Sequence, residues 1–199
     1  MNWRNLGFAN VAGTDEVGRG CLAGPVYAAA VILRPESRIR GLTDSKLIPF
    51  ERRLEIAEEI KSKALCWSVA FATVEEIEKI NILRASLTAM NRAVKTLSVR
   101  PELVLIDGIH KIDGDWNQKT IIGGDLICKP ISAASIIAKV ARDLFMADLD
   151  EKYPGYAFKE HKGYGTPKHL EAIAQLGPTV IHRKTFSGVK EYFSEGQGS

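Results

Sequence analysis

Apolar positions along the chain come in two rhythms, and the change from one to the other divides it. Val11 to Val17 reads as a first strand. Val26 to Leu33 (VYAAAVIL) is an unbroken apolar run between Gly24-Pro25 and Pro35, the pattern of a buried strand. Cys66 to Val74 alternates loosely and predicts a third strand, after a helix over Phe50–Ala64 with apolar positions at Leu54, Ile56, Ala57 and Ile60. Three strands so closely spaced predict an antiparallel meander. Helical spacing then takes over. A short helix is expected over Val74–Ile80 and a longer one over Ile82–Leu97, with Leu83, Leu87, Met90, Ala93, Val94 and Leu97 on one stripe. Leu103–Ile106, running into Asp107-Gly108, and Lys119–Ile122, running into Gly123-Gly124-Asp125, are compact strands reached through helices, which favours parallel pairing. Ser132 is placed to cap a helix reaching about Lys152, and Tyr153-Pro154-Gly155 ends it. Tyr156–Thr166 lacks a period and reads as a loop. Pro167–Leu176 is a short helix closed by Gly177. The prediction is an α/β fold: a mixed five-stranded sheet flanked by helices, with a small C-terminal helical and loop extension.

The length of 199 residues fits one domain over 1–190, with about 153–190 as a substrate-binding extension and 191–199 as a flexible tail. Hydrophobic residues at 45% suffice for a core, and a formal charge of +3 says little until its distribution is considered. From Tyr153 to Phe186 the chain carries five Lys or Arg and three His against two carboxylates, a composition that suits a polyanion. Cys21, Cys66 and Cys128 have neither disulfide nor zinc spacing, which fits a reducing cytosol and a cytoplasmic protein. No signal core or membrane-length apolar run is present in the sequence, and a monomer is expected.

The candidate chemistry centres on Gly13-Thr-Asp-Glu-Val-Gly-Arg-Gly20. Neighbouring side chains alternate faces, so Asp15 and Glu16 share a site only where their strand ends or twists. Gly18 and Gly20 permit a tight turn and close backbone approach, and Arg19 offers a fork of donors for an anion. The spacing is neither a Walker A loop nor a dinucleotide fingerprint. Asp107 and Asp125 repeat the theme of an acid at a strand end beside glycine. Singly, each is an ordinary turn former. Four together point to a hard cation, because like charges held close raise one another's pKa unless a cation neutralises them. Mg²⁺ or Mn²⁺ suits all-oxygen ligands, and two such ions about 4 Å apart support in-line phosphodiester hydrolysis. Asp44, Asp113 and Asp115 are competing carboxylates.

These residues also carry a resemblance. The chain is similar to bacterial ribonuclease HII, of the type 2 ribonuclease H family, from Ala12 to about Phe186. The resemblance rests on Thr14–Gly20, Leu42-Thr-Asp-Ser-Lys46, Ile106-Asp-Gly108, Ile131–Val140 with Arg142-Asp143, Tyr153-Pro-Gly-Tyr156 and His161-Lys-Gly-Tyr-Gly-Thr166. It implies a ribonuclease H-like fold. It also implies cleavage on the 5′ side of ribonucleotides in RNA–DNA hybrids and DNA duplexes, leaving 3′-OH and 5′-phosphate, with two divalent ions. By resemblance, Asp15, Glu16, Asp107 and Asp125 are metal ligands. Gly18, Arg19 and Gly20 read the ribose 2′-OH, Tyr164 lies beside the RNA–DNA junction, and Lys46 touches a phosphate. One departure is Gly123-Gly124-Asp125 where the family commonly has Lys-Gly-Asp, which leaves Asp143 as a rival fourth acid. Ribonuclease HIII would show Gly-Lys-Gly and an added N-terminal domain, and a motif starting at residue 13 leads us to expect no such domain.

Lys139, Arg142 and Lys162 are further candidate phosphate contacts, against the alternative of solvated surface. His161 reads as a hydrogen-bonded loop histidine rather than a proton shuttle, and His182-Arg183-Lys184 as a basic rim. Thr14, Ser132 and Ser135 offer hydroxyls with no triad to serve. Two other readings stand against the ribonuclease. A resolvase-like nuclease leaves the Gly-Arg-Gly loop and Tyr164 without a purpose. A non-catalytic nucleic-acid-binding domain has no use for four acids that repel phosphate.

Overall fold

The computed structural model describes residues 1–42 and 48–194, so Asp44 and Lys46 lie outside the described residues. Five strands form one sheet in the order β3-β2-β1-β4-β5: β1 (Val11–Val17), β2 (Val26–Leu33), β3 (Ala64–Ala72), β4 (Leu103–Asp107) and β5 (Gln118–Ile121). The first three make the expected antiparallel meander, and β4 and β5 add parallel to β1. The helices are α1 (Phe50–Lys63), α2 (Val74–Lys95), α3 (Gly124–Ile127), α4 (Lys129–Lys152), α5 (Phe158–His161), α6 (Pro167–Leu176) and α7 (Glu191–Ser194). The start of the expected tail is therefore helical. So is part of the expected 156–166 loop, where α5 is held between left-handed Ala157 and Lys162.

The division at residue 81 is visible as a kink. Asn81 has φ 65° inside α2, and its side chain accepts from the Arg84 N–H at 3.1 Å, capping the second segment. Thr73 and Glu76 close a capping box at the helix start. Ser132 does not cap α4 as expected. The helix starts at Lys129 with Pro130 in its first turn, and the Ser132 hydroxyl donates to the carbonyls of Cys128, at 3.2 Å, and Asp125.

Side-chain alternation sorts the core onto two faces of the sheet. Val11, Ala29, Val31, Leu33, Leu103 and Leu105 face α4 and α1, whereas Ala12, Ala28, Ala30, Ile32, Val104 and Ile106 face α2. Gly13 decides how close α4 comes, since a Cβ there would lie 2.2 Å from the Pro130 carbonyl carbon. A third cluster, built on Leu22, Met146, Phe158 and Ile173, seats the C-terminal segment against α4. Among the described residues, no helix is long and apolar enough to cross a membrane.

Candidate active site

The central parallel pair positions the acids. Its register ends at Thr14↔Ile106, which leaves Asp15 and Asp107 as the next positions on adjacent strands, both on the α4 face by alternation. Glu16 alternates to the other face but sits where β1 ends, so it reaches the same cleft. That cleft, about 300 Å³, is lined by Asp15, Glu16, Asp107 and Asp125, by Gly18, Arg19 and Gly20, and by Ser135, Lys139 and Tyr164 from α4 and the C-terminal loops. The competing Asp113 and Asp115 are exposed and do not line it.

Electrostatics mark the acids as frustrated. Burial, then the charges of Glu16 and Asp107, holds the Asp15 carboxyl well above the usual carboxylate range. A hydrogen bond from Ser135 and the Glu16 N–H, 2.7 Å from Asp15 Oδ1, oppose this only in part. Glu16 is raised by burial against the pull of Arg19, whose Nη1 lies 3.2 Å from Glu16 Oε1. Asp107 is raised by burial and by Asp125, while its Oδ1 accepts from the Gly124 N–H at 2.7 Å. The two glycines before Asp125 have separate reasons. Gly123 stands at φ 62°, in the left-handed region, and a Cβ on Gly124 would meet Ile131 at 2.5 Å.

Asp143, the rival fourth acid, is otherwise engaged. It is buried between Arg53 Nη1 at 2.9 Å and Lys139 Nζ at 2.6 Å. Lys139 faces the cleft from this pair, 5.8 Å from the Tyr164 ring centre. Lys162 lies beside a second, neighbouring groove, its Nζ over the Phe50 ring, and burial lowers its pKa.

Two expectations need correction. Arg142 is not a surface phosphate contact: it is wholly buried, and its guanidinium donates to the carbonyls of Pro25, Ala23 and Lys162. His182 and Arg183 are not a basic rim, since both are wholly buried, and only Lys184 of that trio is exposed. Their place in a contiguous His-Arg-Lys run gives no sign of this. His161 is a hydrogen-bonded loop histidine, with Nε2 2.7 Å from the Tyr156 carbonyl and Nδ1 accepting from the Gly163 N–H at 3.1 Å. Ser135 lines the cleft and hydrogen-bonds to Asp15, a role its sequence alone does not assign. Its place one helical turn after Ile131, on the α4 face that meets β1, was the available signal.

A mixed sheet of this order, covered by helices on both faces and open at the acidic ends of its central strands, defines a molecule of the ribonuclease H-like class. The family Ribonuclease HII matches residues 12–189. A Ribonuclease HII from Cupriavidus necator is 52% identical over 184 residues, 91% of this chain and 77% of the relative. Another from Idiomarina loihiensis is 52% identical over 180 residues, 90% of this chain and 96% of the relative. The crystal structure of the ribonuclease H2 from Pyrococcus horikoshii superposes with a TM-score of 0.78 over 94% of this chain and 98% of that one, at 24% identity. The chain belongs to the Ribonuclease HII family, and is thus an enzyme of the ribonuclease H kind, a hydrolase.

Proposed function

We propose that this ribonuclease cuts the phosphodiester on the 5′ side of a ribonucleotide, in RNA–DNA hybrids and in DNA duplexes holding single ribonucleotides, and leaves 3′-OH and 5′-phosphate ends. Residues 1–190 act as one catalytic unit, with 153–190 contributing to substrate binding. The observation that carries this reading is the make-up of the cleft. Four acids share one wall region with the Gly18–Gly20 loop, and Tyr164 stands at the same cleft, 37% exposed.

The donor set fits a hard cation. It is all oxygen, and three of its carboxyls are raised by burial and by neighbouring acids, a cost that a cation removes. Asp15, Glu16, Asp107 and Asp125 would hold Mg²⁺ or Mn²⁺, which when bound supplies an activated water and stabilises the leaving oxygen. The chain's own groups do the rest. Ser135 and the Glu16 N–H fix the Asp15 carboxylate, and the Gly124 N–H fixes Asp107. The Gly-Arg-Gly backbone meets the ribose 2′-OH, a group that both donates and accepts. Tyr164 lays its ring against the next sugar, where a second 2′-OH would crowd it. The 2′-OH neighbours the 3′ phosphate, so it is not the nucleophile for a 5′ cut, and water attacks.

The test uses a duplex with one ribonucleotide, with and without Mg²⁺. Replacement of that residue by its 2′-deoxy or 2′-O-methyl form should block cutting. Tyr164→Phe should lose less than Tyr164→Ala, because the ring stays. The rate ratio between a single-ribonucleotide duplex and a uniform hybrid should fall for Tyr164→Ala, and a ratio left where it was would remove the junction-sensing role.

A further inference from the structure

Among the described residues, two arginines have no acid to answer them. Arg142, on α4, and Arg183, in the C-terminal segment, are both 0% exposed. A buried guanidinium is ordinarily matched with a carboxylate. Here, among the described residues, every recorded hydrogen-bond partner is a main-chain carbonyl. Arg142 Nε donates to Pro25 O at 3.2 Å, Nη2 to Ala23 O at 3.1 Å and Nη1 to Lys162 O at 2.8 Å. Arg183 Nε and Nη2 donate to Gly24 O at 3.0 and 2.8 Å, Nη1 to Arg19 O at 2.8 Å, and Nη2 also to Gly18 O at 2.7 Å.

These carbonyls belong to the two segments that frame the substrate end of the cleft. Arg142 ties the 23–25 stretch to Lys162, two residues before Tyr164. Arg183 ties Gly18 and Arg19 to Gly24. The backbone continues the link, with Leu22 N–H to Gly163 O at 2.8 Å and Arg183 N–H to Leu22 O at 2.8 Å. Gly18 is part of the same device. At φ +98°, its missing Cβ would lie 2.2 Å from Arg142 Nε, so the glycine makes room for the arginine rather than for a ligand. The peptide geometry then supplies a consequence. In a trans peptide the N–H points opposite to the preceding carbonyl. With the Gly18 and Arg19 carbonyls drawn inward to Arg183, the Arg19 and Gly20 N–H groups point outward, and neither donates to another described residue.

We propose that Arg142 and Arg183 are positioning residues that lock the Gly18–Gly20 loop and the Tyr164 loop into one rigid reader, and thereby set how strictly the enzyme demands a ribonucleotide followed by a deoxynucleotide. This rests on the function proposed above for those two loops. Arginine suits the task because its planar fork reaches several carbonyls at fixed angles, which a lysine ammonium does not.

The test compares wild type with Arg183→Lys and Arg142→Lys, which keep the charge and lose the fork. Single-turnover rates are measured on a single-ribonucleotide duplex and on a uniform hybrid, beside KM and melting temperature. The expected result is a fall of about tenfold to a hundredfold in the ratio of the two rates, the scale of a misplaced contact, carried in the rate constant rather than in KM. Lysine variants that melt earlier but keep the wild-type ratio would reduce both arginines to fold stabilisers and overturn the proposal. Should the variants fail to fold, native-state hydrogen exchange on the wild type decides. Amides of Leu22, Gly24 and Tyr164 should open together with one free energy, and independent opening overturns the lock. If the wild type shows no need for the 2′-OH, the proposed function fails instead, while the exchange result still decides whether the loops move as one.

Discussion

Asp107 touches three other features of the site at once: the Gly124 N–H, the charge of Asp125 and, through Asp15, the middle of the cleft. Asp107→Asn keeps the acceptor for Gly124 and removes one charge. It should abolish turnover, because an amide is a poor ligand for a hard dication. In EDTA it should hold or raise stability, by roughly 1 kcal/mol or 2–4 °C for a chain of this size. Melting curves with EDTA and with Mg²⁺, beside an activity assay, check both, and near-normal turnover would end the metal reading. The two loop glycines behave differently under the same change. Gly18→Ala meets Arg142 and a positive φ, so it should cost about 1–3 kcal/mol from backbone strain alone. Gly20 has no heavy atom within 4 Å of a built Cβ, so Gly20→Ala should leave stability within about 0.5 kcal/mol and weaken ribonucleotide cleavage instead. Urea unfolding and single-turnover rates on both variants separate the two roles. Equal effects on both would contradict the assignment.

Among the elements, α5, α6 and the segment after α6 share the third apolar cluster, through Phe158, Ile173 and Val189, and are joined beside it by histidines. His182 Nδ1 accepts from the Thr179 N–H at 2.9 Å, His182 and His169 share a 3.1 Å contact between their Nε2 atoms, and His169 Nδ1 lies 2.9 Å from the Tyr164 carbonyl. His161 stacks on His169 with ring centres 4.3 Å apart. This chain is consistent only with neutral rings: His169 carries its proton on Nδ1 and His182 on Nε2. Burial, with neighbouring histidines, pulls His169 and His182 each down to about 4. An unfolded histidine titrates near 6.5, so between those values the unfolded chain binds protons that the folded one refuses. The stability from keeping both neutral is therefore complete above pH 6.5 and is lost as pH falls toward 4, by up to roughly 3 kcal/mol per histidine before coupling. Asp15, Glu16 and Asp107, with raised values, work in the opposite direction. They do so equally in wild type and in a His169→Gln, His182→Gln variant. Unfolding free energies at pH 7 and pH 4.5 should thus fall less in the variant than in wild type, and parallel slopes would count against the buried pair as the cause.

Across the whole molecule, charge is arranged by function more than by sum. An acidic cleft that would repel a phosphate backbone is flanked by Lys139, which is tied to Asp143, and by Lys162 in the adjoining groove. With Arg142 turned inward, these two remain as candidate backbone contacts among the described residues. Lys139→Ala and Lys162→Ala should each weaken duplex binding broadly and lower the salt slope of log Kd by about one unit or less. Titrations at several salt concentrations measure this, and a slope equal to wild type would return that lysine to plain surface. Lys139→Ala has a second consequence, since it also leaves buried Asp143 with Arg53 as its remaining named partner.

The periodicities were enough to determine the five strands, the break at Asn81, the α/β class and the acids Asp15, Glu16 and Asp107 at strand ends, because each depends on spacing within a few residues; Asp125, expected at the end of β5, stands instead in the first turn of α3. The motif run from Thr14 to Thr166 was enough to determine the family. Tertiary structure alone decided which charged residues face water. Arg142 reads from its neighbours as a helical surface cation, yet its partners lie 117 and 119 positions away at Pro25 and Ala23. Arg183 sits in a basic trio and reaches Gly18, 165 positions back. Asp143 reads from its neighbours as an available ligand, yet Arg53, 90 positions away, is bound to it. Local pattern fixes which way a strand alternates or a helix faces. Whether a charge at a given place is solvated, paired or used to hold the main chain depends on what packs over it, and that is settled only when distant segments meet.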